Sequence, residues 1–65
     1  MSIKSLREAK GLSQKELAKE LGVDQSAVCL WENGKTFPRV PVAQRMAKIL
    51  DCSLNELYSN GQENQ

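Results

Sequence analysis

Residues 13–33, SQKELAKELGVDQSAVCLWEN, contain two short helical patterns separated by a tight turn. Ser13 followed three residues later by Glu16 is the pattern of a capping box, which begins a helix. Apolar residues at helical spacing then give that helix one apolar face, and Gly22 stands where helices often end in a left-handed residue. Asp24 is a good N-cap for a second helix. The stretch therefore predicts a helix, a turn and another helix.

The turn between these two helices consists of residues 22–24 alone, which is too few for the helices to lie antiparallel. Ala18 is small where the helices would approach, and Val23 can fill the turn between them. At 100° per residue, Val28 and Trp31 face back toward the first helix. This is how a helix-turn-helix is assembled: a supporting helix holds a second helix outward.

The rest of the chain adds three more helical patterns and no strand-like alternation. One precedes the motif, and another begins near Pro41, a residue that suits the first turn of a helix. Ser53 and Glu56 form a second capping box and open a short last helix. We predict an all-α domain of five helices over residues 1–58, followed by a mobile polar tail at residues 59–65.

Length and composition exclude several classes of protein. The 65 residues allow one domain, and the two cysteines are too few for a disulfide scaffold. No apolar run approaches the roughly 18 residues that a membrane span needs. The chain lacks His, the commonest general base and metal ligand. We expect a cytoplasmic protein that is not an enzyme, with no metal, no cofactor, no membrane contact and no small-molecule ligand.

The charges alternate along the chain although the net charge is only +1. Residues 1–19 and 33–48 are basic, whereas residues 20–32 and 49–65 are acidic. A fold could gather the two basic blocks on one side, as binding to a polyanion requires. A solvated surface of mixed charge explains the same pattern, and the charges alone leave both interpretations open.

The outward face of the second helix in the motif is uncharged. With Val28 turned inward, Ser26, Cys29 and Leu30 lie on the opposite side, and Gln25 projects past the N-terminal end. An amide can pair with adenine N6 and N7, a hydroxyl can serve several bases, and a leucine can contact a thymine methyl group. The face thus suits base reading, and an ordinary polar face with an incidental leucine is the alternative.

Three segments of the chain carry a resemblance to a known family. They are LSQKELA at residues 12–18, LGV at 21–23 and WENGK at 31–35. Together they closely resemble the helix-turn-helix of the lambda-repressor and Cro family, also called the xenobiotic-response-element family, and the similarity extends over about residues 3–58. The resemblance implies a compact lambda-repressor-like DNA-binding domain whose third helix, at about residues 25–33, enters the major groove.

The resemblance also implies a function. It is that of a sequence-specific regulator of transcription that binds double-stranded DNA, a repressor of phage, mobile-element or host genes. Such a protein acts as a homodimer, at least on DNA, on an inverted-repeat operator. A protein-interaction module or antitoxin-like protein with the same fold is the alternative, favoured by the modest net charge and by the apolar Leu30 and Cys29.

The site residues follow from the resemblance position by position. The residues expected to read bases are Gln25, Ser26, Cys29 and Leu30. The residues expected to bind phosphate are Gln14, which also braces Gln25, and Asn33, Lys35, Thr36 and Arg39. Helix N-termini and basic loops favour anions, which agrees with this assignment. Capping alone is the alternative for Gln14 and Asn33, and a solvated side chain is the alternative for Lys35.

Arg7 and Glu32 match a pair that the family uses structurally, a salt bridge between the first and third helices. Glu32 lies near the inward face of its helix, so a charged partner is physically required. We therefore expect a structural role for both residues.

Some positions depart from the family pattern. Arg39 replaces the usual Ser or Thr cap of the fourth helix. Asp51 replaces the usual Gly after that helix, and Asp tolerates left-handed geometry better than most residues. Cys52 falls at a core position, and a disulfide with Cys29 is rejected because the reading face cannot meet the core. A redox role of Cys29 stays open.

Overall fold

The structure, a computed structural model, describes residues 2–59. In that range it contains five helices and no strand, which confirms the all-α prediction: α1 Ile3–Ala9, α2 Gln14–Leu21, α3 Gln25–Glu32, α4 Val40–Leu50 and α5 Leu54–Ser59. Ser59 is the last residue of α5, whereas the sequence pattern assigned it to the tail. Residues 60–65 of that predicted tail lie outside the described residues.

Local hydrogen bonds set the N-terminal ends of three helices. The backbone N–H of Glu16 donates to the Ser13 hydroxyl at 3.0 Å, and the Ser13 N–H donates to the Glu16 carboxylate at 2.8 Å. Ser53 repeats this arrangement at the start of α5. At α1, Ser2 and Ser5 form a third box. The sequence pattern did not reveal it, because the reciprocal residue is a serine in place of the usual Glu or Gln.

Asp24 occupies the N-cap position of α3, as predicted, in extended backbone geometry. Its carboxylate, however, caps no backbone N–H of that helix in the described part of the chain. Asp24 is therefore the N-cap, as predicted, without a side-chain cap bond. The negative charge of Asp24 still lies at the positive end of the helix dipole, where it is favourable without a hydrogen bond.

In α2 and α4 the C-cap residue itself is in the left-handed conformation. Gly22 closes α2 with φ at +72°, and the N–H of Val23 donates back to the Ala18 carbonyl at 3.0 Å. Asp51 closes α4 with φ at +56°, so the predicted left-handed aspartate is present. These two sharp stops turn the chain from α2 into α3 and from α4 toward α5.

The core is formed by apolar side chains from all five helices. α2 and α3 pack directly against each other, and Val28 and Trp31 turn one side of α3 inward, as predicted. Cys52 is half-buried against this core, and burial raises the pKa of its thiol. The buried apolar residues are Ile3, Leu6, Leu17, Ala18, Leu21, Val28, Trp31, Ala43, Met46, Leu50 and Leu57.

We predict that Asp51→Gly stabilises the domain by roughly 0.5–1 kcal/mol. Glycine removes the left-handed strain of an L side chain and the unfavourable negative charge at a helix C-terminus. The exposed contact of Asp51 with Lys10, 3.8 Å long, contributes little to oppose this gain. Urea unfolding followed by Trp31 fluorescence measures the change.

Gly22→Ala is the matched control for this substitution. A Cβ at Gly22 would meet no atom within 4 Å, so the cost is backbone strain alone, about 1 kcal/mol of destabilisation. A destabilised Asp51→Gly variant would contradict the expectation and would mean that the Lys10 contact outweighs the strain.

Candidate nucleic-acid interface

The outward surface of α3 carries the four side chains expected to read bases. Gln25 and Ser26 are exposed, Leu30 is 43% exposed and Cys29 is half-buried. The opposite side of the helix is packed into the core, which fixes the rotation of α3 about its own axis. The structure therefore places an amide, a hydroxyl, a thiol and an apolar group on one uncharged face.

The N-terminal ends of α2 and α3 meet through two glutamines. Gln14 is the first residue of α2 and Gln25 is the first residue of α3. The Gln25 Nε2 atom lies 3.5 Å from Gln14 Oε1, a long hydrogen bond between exposed groups. This is the contact that the predicted bracing of Gln25 requires.

Below these glutamines lies a buried ion pair between α1 and α3. Arg7 Nε donates to Glu32 Oε2 at 2.6 Å, and Arg7 Nη2 donates to Glu32 Oε1 at 3.3 Å. The two side chains are only 9% and 5% exposed. The hydrogen bond to Glu32 raises the pKa of Arg7 further above its ordinary range, against the opposing effect of burial. The pair expected between the first and third helices is thus formed.

The ion pair has further partners on both sides. Arg7 Nη1 donates to the Leu12 carbonyl oxygen at 2.7 Å, which ties down the segment between α1 and α2. Gln14 Nε2 donates to Glu32 Oε1 at 3.0 Å. This last bond joins residues 18 positions apart in the sequence, so no local pattern predicts it.

The residues expected to grip phosphate lie in the loop that follows α3. Asn33 is the C-cap of α3, and its amide donates to Cys29 Sγ at 3.4 Å. Lys35, Thr36 and Arg39 are exposed. Arg39 occupies the N-cap position of α4. Since α3 is eight residues long, this loop and Gln25 flank its outward face at ends about 12 Å apart.

Exposed apolar side chains that the sequence pattern did not indicate lie in the same loop and at the first residue of α4. Phe37 and Val40 are both exposed. The Phe37 ring lies 6.3 Å, centroid to centroid, from the ring of Tyr58, and the Tyr58 hydroxyl donates to the Pro38 carbonyl at 3.0 Å. The exposure of Phe37 could have been predicted from Pro38, because a residue before proline is held extended and cannot join the apolar face of a helix. Through these two contacts Tyr58 ties α5 to this loop.

The described residues form no disulfide, metal site or membrane span. Both cysteines are free thiols. In residues 2–59, no group of His, Cys, Asp and Glu side chains is arranged to hold a metal ion. No helix of the described part of the chain has the length and apolar character to cross a membrane.

Two adjoining helices at a three-residue turn, the second with an uncharged outward face, define a helix-turn-helix domain. The helix-turn-helix family model matches residues 3–57. The chain belongs to this family, of the Cro/C1 type, as its motifs predicted.

Three relatives give the family a functional context. The HTH-type transcriptional activator BcrR of Enterococcus faecalis is 34% identical over 57 residues, which cover 88% of this chain and 28% of BcrR. The HTH-type transcriptional regulator PuuR of Escherichia coli is 32% identical over 57 residues, 88% of this chain and 31% of PuuR. The cryptic phage CTXphi transcriptional repressor RstR of Vibrio cholerae is 29% identical over 62 residues, 95% of this chain and 56% of RstR. The chain thus spans less than two thirds of each of these proteins.

We predict that Glu32→Ala destabilises the domain by about 3–5 kcal/mol, because it leaves the buried Arg7 guanidinium without its partner. For a domain of this size the loss approaches the whole free energy of unfolding. Urea unfolding followed by Trp31 fluorescence measures it. Lys10→Ala breaks the exposed pair with Asp51 and is the control, with an expected change below about 1 kcal/mol. Equal effects of the two substitutions would show that burial of the Arg7 pair carries no special weight.

Proposed function

We propose that this chain is a sequence-specific double-stranded DNA-binding domain that regulates transcription, with α3 in the major groove. The observation that carries this proposal is the outward face of α3, which is uncharged and bounded by an amide at one end and a basic loop at the other. An α-helix fits the width of the major groove, and base edges are read there by neutral hydrogen-bonding and apolar groups. Membership in a family whose relatives are named as transcriptional regulators supports the proposal.

Each exposed group on α3 has a chemical counterpart in the groove. The Gln25 amide offers a donor and an acceptor, the combination that adenine presents through N7 and N6. The Ser26 hydroxyl can donate or accept, so it suits several bases. Leu30 is exposed enough to meet a thymine methyl group. Cys29, half-buried, contributes a small neutral surface that lets the helix approach closely.

Phosphate contacts would hold the domain in register. Gln14 stands at the N-terminus of α2, where the helix dipole and free backbone N–H groups attract anions. On the other side of α3, Asn33, Lys35, Thr36 and Arg39 offer two positive charges and two polar side chains to the second flank of the groove. The two sets would bracket the reading helix.

A homodimer and an inverted-repeat operator belong to the same proposal. One α3 reaches only a few base pairs, so a second copy on the next half-site supplies the remaining specificity, with half-sites about one helical turn apart. Repression needs only occupancy of the operator, and RstR is named as a phage repressor. We propose a cytoplasmic repressor of phage, mobile-element or host genes, in a bacterium or phage.

A second candidate function is supported by the exposed apolar side chains. Leu30, Phe37 and Val40 together with the net charge of +1 suit a protein-interaction module. Salt separates the two candidates, because contacts to several phosphates make affinity for DNA fall steeply as salt rises.

We expect selection from a random pool of short duplexes to enrich a motif of two inverted half-sites. Sequencing of the bound fraction gives the motif directly. In the same selection Gln25→Ala is expected to blur the preference at one position of each half-site, at a cost of about 1–3 kcal/mol on the preferred site. A single half-site would remove the dimer from the proposal. No enrichment at low salt by the folded chain would remove DNA binding and favour the protein-interaction module.

We predict that Lys35→Ala weakens binding to every duplex by a similar factor and lowers the slope of log K against log salt by about one. The reason is the loss of one phosphate contact with its released counterion. Binding titrations by fluorescence anisotropy at several salt concentrations measure the slope. Lys48→Ala, which removes an equal charge from the exposed side of α4, is the control and is expected to leave the slope unchanged. If both variants changed the slope equally, net charge rather than a contact at Lys35 would explain it.

A further inference from the structure

We infer that Glu32 is a positioning residue for base recognition: through Gln14 it fixes which atoms of the Gln25 amide face the DNA, and so favours adenine over guanine. The inference rests on the proposed function and deepens it. It means that Glu32, at the buried C-terminal end of α3, influences which base Gln25 recognises at the exposed N-terminal end.

A relay of hydrogen bonds runs from the Arg7–Glu32 ion pair through Gln14 to Gln25 at the protein surface. Arg7 donates to both oxygens of Glu32. Gln14 Nε2 donates to Glu32 Oε1 at 3.0 Å, and Gln25 Nε2 donates to Gln14 Oε1 at 3.5 Å. In the two bonds of the relay that involve Gln14, the acceptor is the group nearer to Glu32.

Which groups donate and which accept in this relay follows from the chemistry of its buried end, the Glu32 carboxylate. The Glu32 carboxylate beside Arg7 can only accept hydrogen bonds, so the group of Gln14 that faces it must be the NH₂. The carbonyl oxygen of Gln14 is then on the other branch of the same planar amide, turned toward Gln25. Since that oxygen also only accepts, Gln25 must donate to it with its own NH₂.

The reversed arrangement is unfavourable at both contacts. A flipped Gln14 amide would place its carbonyl oxygen against the Glu32 carboxylate and its NH₂ against the NH₂ of Gln25. In an exposed glutamine the two orientations would otherwise be close in energy. Here a charged acceptor that is 5% exposed selects one of them, because interactions with a buried charge are weakly screened.

The relay determines which groups of the Gln25 amide remain free to contact a base. With one N–H given to Gln14, Gln25 has its carbonyl oxygen and one N–H left for the groove. Adenine offers the N6 donor and the N7 acceptor, which match both groups, whereas guanine offers the two acceptors O6 and N7. Guanine would therefore face the Gln25 oxygen with an acceptor. Without the relay, the Gln25 amide is free to turn and give both N–H groups to guanine.

The positioning role can be separated from the structural one. The ion pair between Arg7 and Glu32 has two hydrogen bonds of its own, so it does not need Gln14 to hold α1 against α3. Gln14→Met keeps the length and helix propensity of the side chain but removes both hydrogen bonds of the relay. The double variant Arg7→Met/Glu32→Gln removes the directing charge and leaves no buried charge unpaired.

The test compares duplexes that carry adenine or guanine at the position whose preference is lost in Gln25→Ala. Fluorescence anisotropy titrations at one salt concentration give the ratio of affinities. We expect the unsubstituted chain to prefer adenine by tenfold or more. Gln14→Met is expected to reduce that ratio to within about threefold while preferences at the other positions are unchanged. The variant stays folded, with a lower urea midpoint, because it loses one hydrogen bond to a buried charge. The folded double variant is expected to lose the same preference, whereas Lys35→Ala is expected to keep it.

The contrary results are distinct. A folded Gln14→Met or double variant that keeps the full adenine preference overturns the relay and leaves the proposed function standing. The relay is also overturned, and the proposed function left standing, if the base position whose preference is lost in Gln25→Ala does not favour adenine over guanine in the unsubstituted chain. If the unsubstituted chain enriches no DNA motif, or if Gln25→Ala changes no position, the placement of α3 in the groove fails and this inference fails with it.

Discussion

The ion pair between Arg7 and Glu32 is the constraint on which the rest of the structure depends. It joins α1 to the C-terminal end of α3, and the third hydrogen bond of Arg7, to the Leu12 carbonyl, holds the segment that leads into α2. Two buried charges are tolerated only when each finds its partners, so this arrangement is close to all-or-none. In a 65-residue chain, whose core is small, one such contact weighs heavily against the free energy of unfolding.

Core packing and surface chemistry are linked through the rotation of α3. Val28 and Trp31 are buried on one side of the helix, and this alone determines that Ser26 and Leu30 point outward. The left-handed Gly22 sets how closely α3 follows α2. The outward face is therefore as well defined as the core, although it has few contacts of its own.

Features that depend on neighbours in sequence were predictable, and features that depend on distant contacts were not. The box of Ser13 and Glu16 spans three residues, so the pattern sufficed, and the five helices followed from such signals and from the periodicity. The Arg7–Glu32 pair required the family resemblance, because 25 residues separate its members. The bond from Gln14 to Glu32 and the anchoring of the loop by Tyr58 had no local signal. Asp24 shows the converse, since a good capping residue at the right position does not ensure the hydrogen bond.

The double use of Glu32 has a consequence for how such a small domain can vary. In the proposed relay this carboxylate both completes a buried ion pair and directs the amide of Gln14, so replacing it changes stability and specificity together. Gln25 and the loop of Lys35 and Thr36 lie at the surface and have no such constraint. If they contact DNA as proposed, operator preference and overall affinity can change there at little cost to the fold. Gln14 lies between these two groups, because it touches the buried charge yet starts an exposed helix end. With α3 in the groove as proposed, substitutions of Gln14 should therefore alter which bases α3 reads and leave the Arg7–Glu32 ion pair intact.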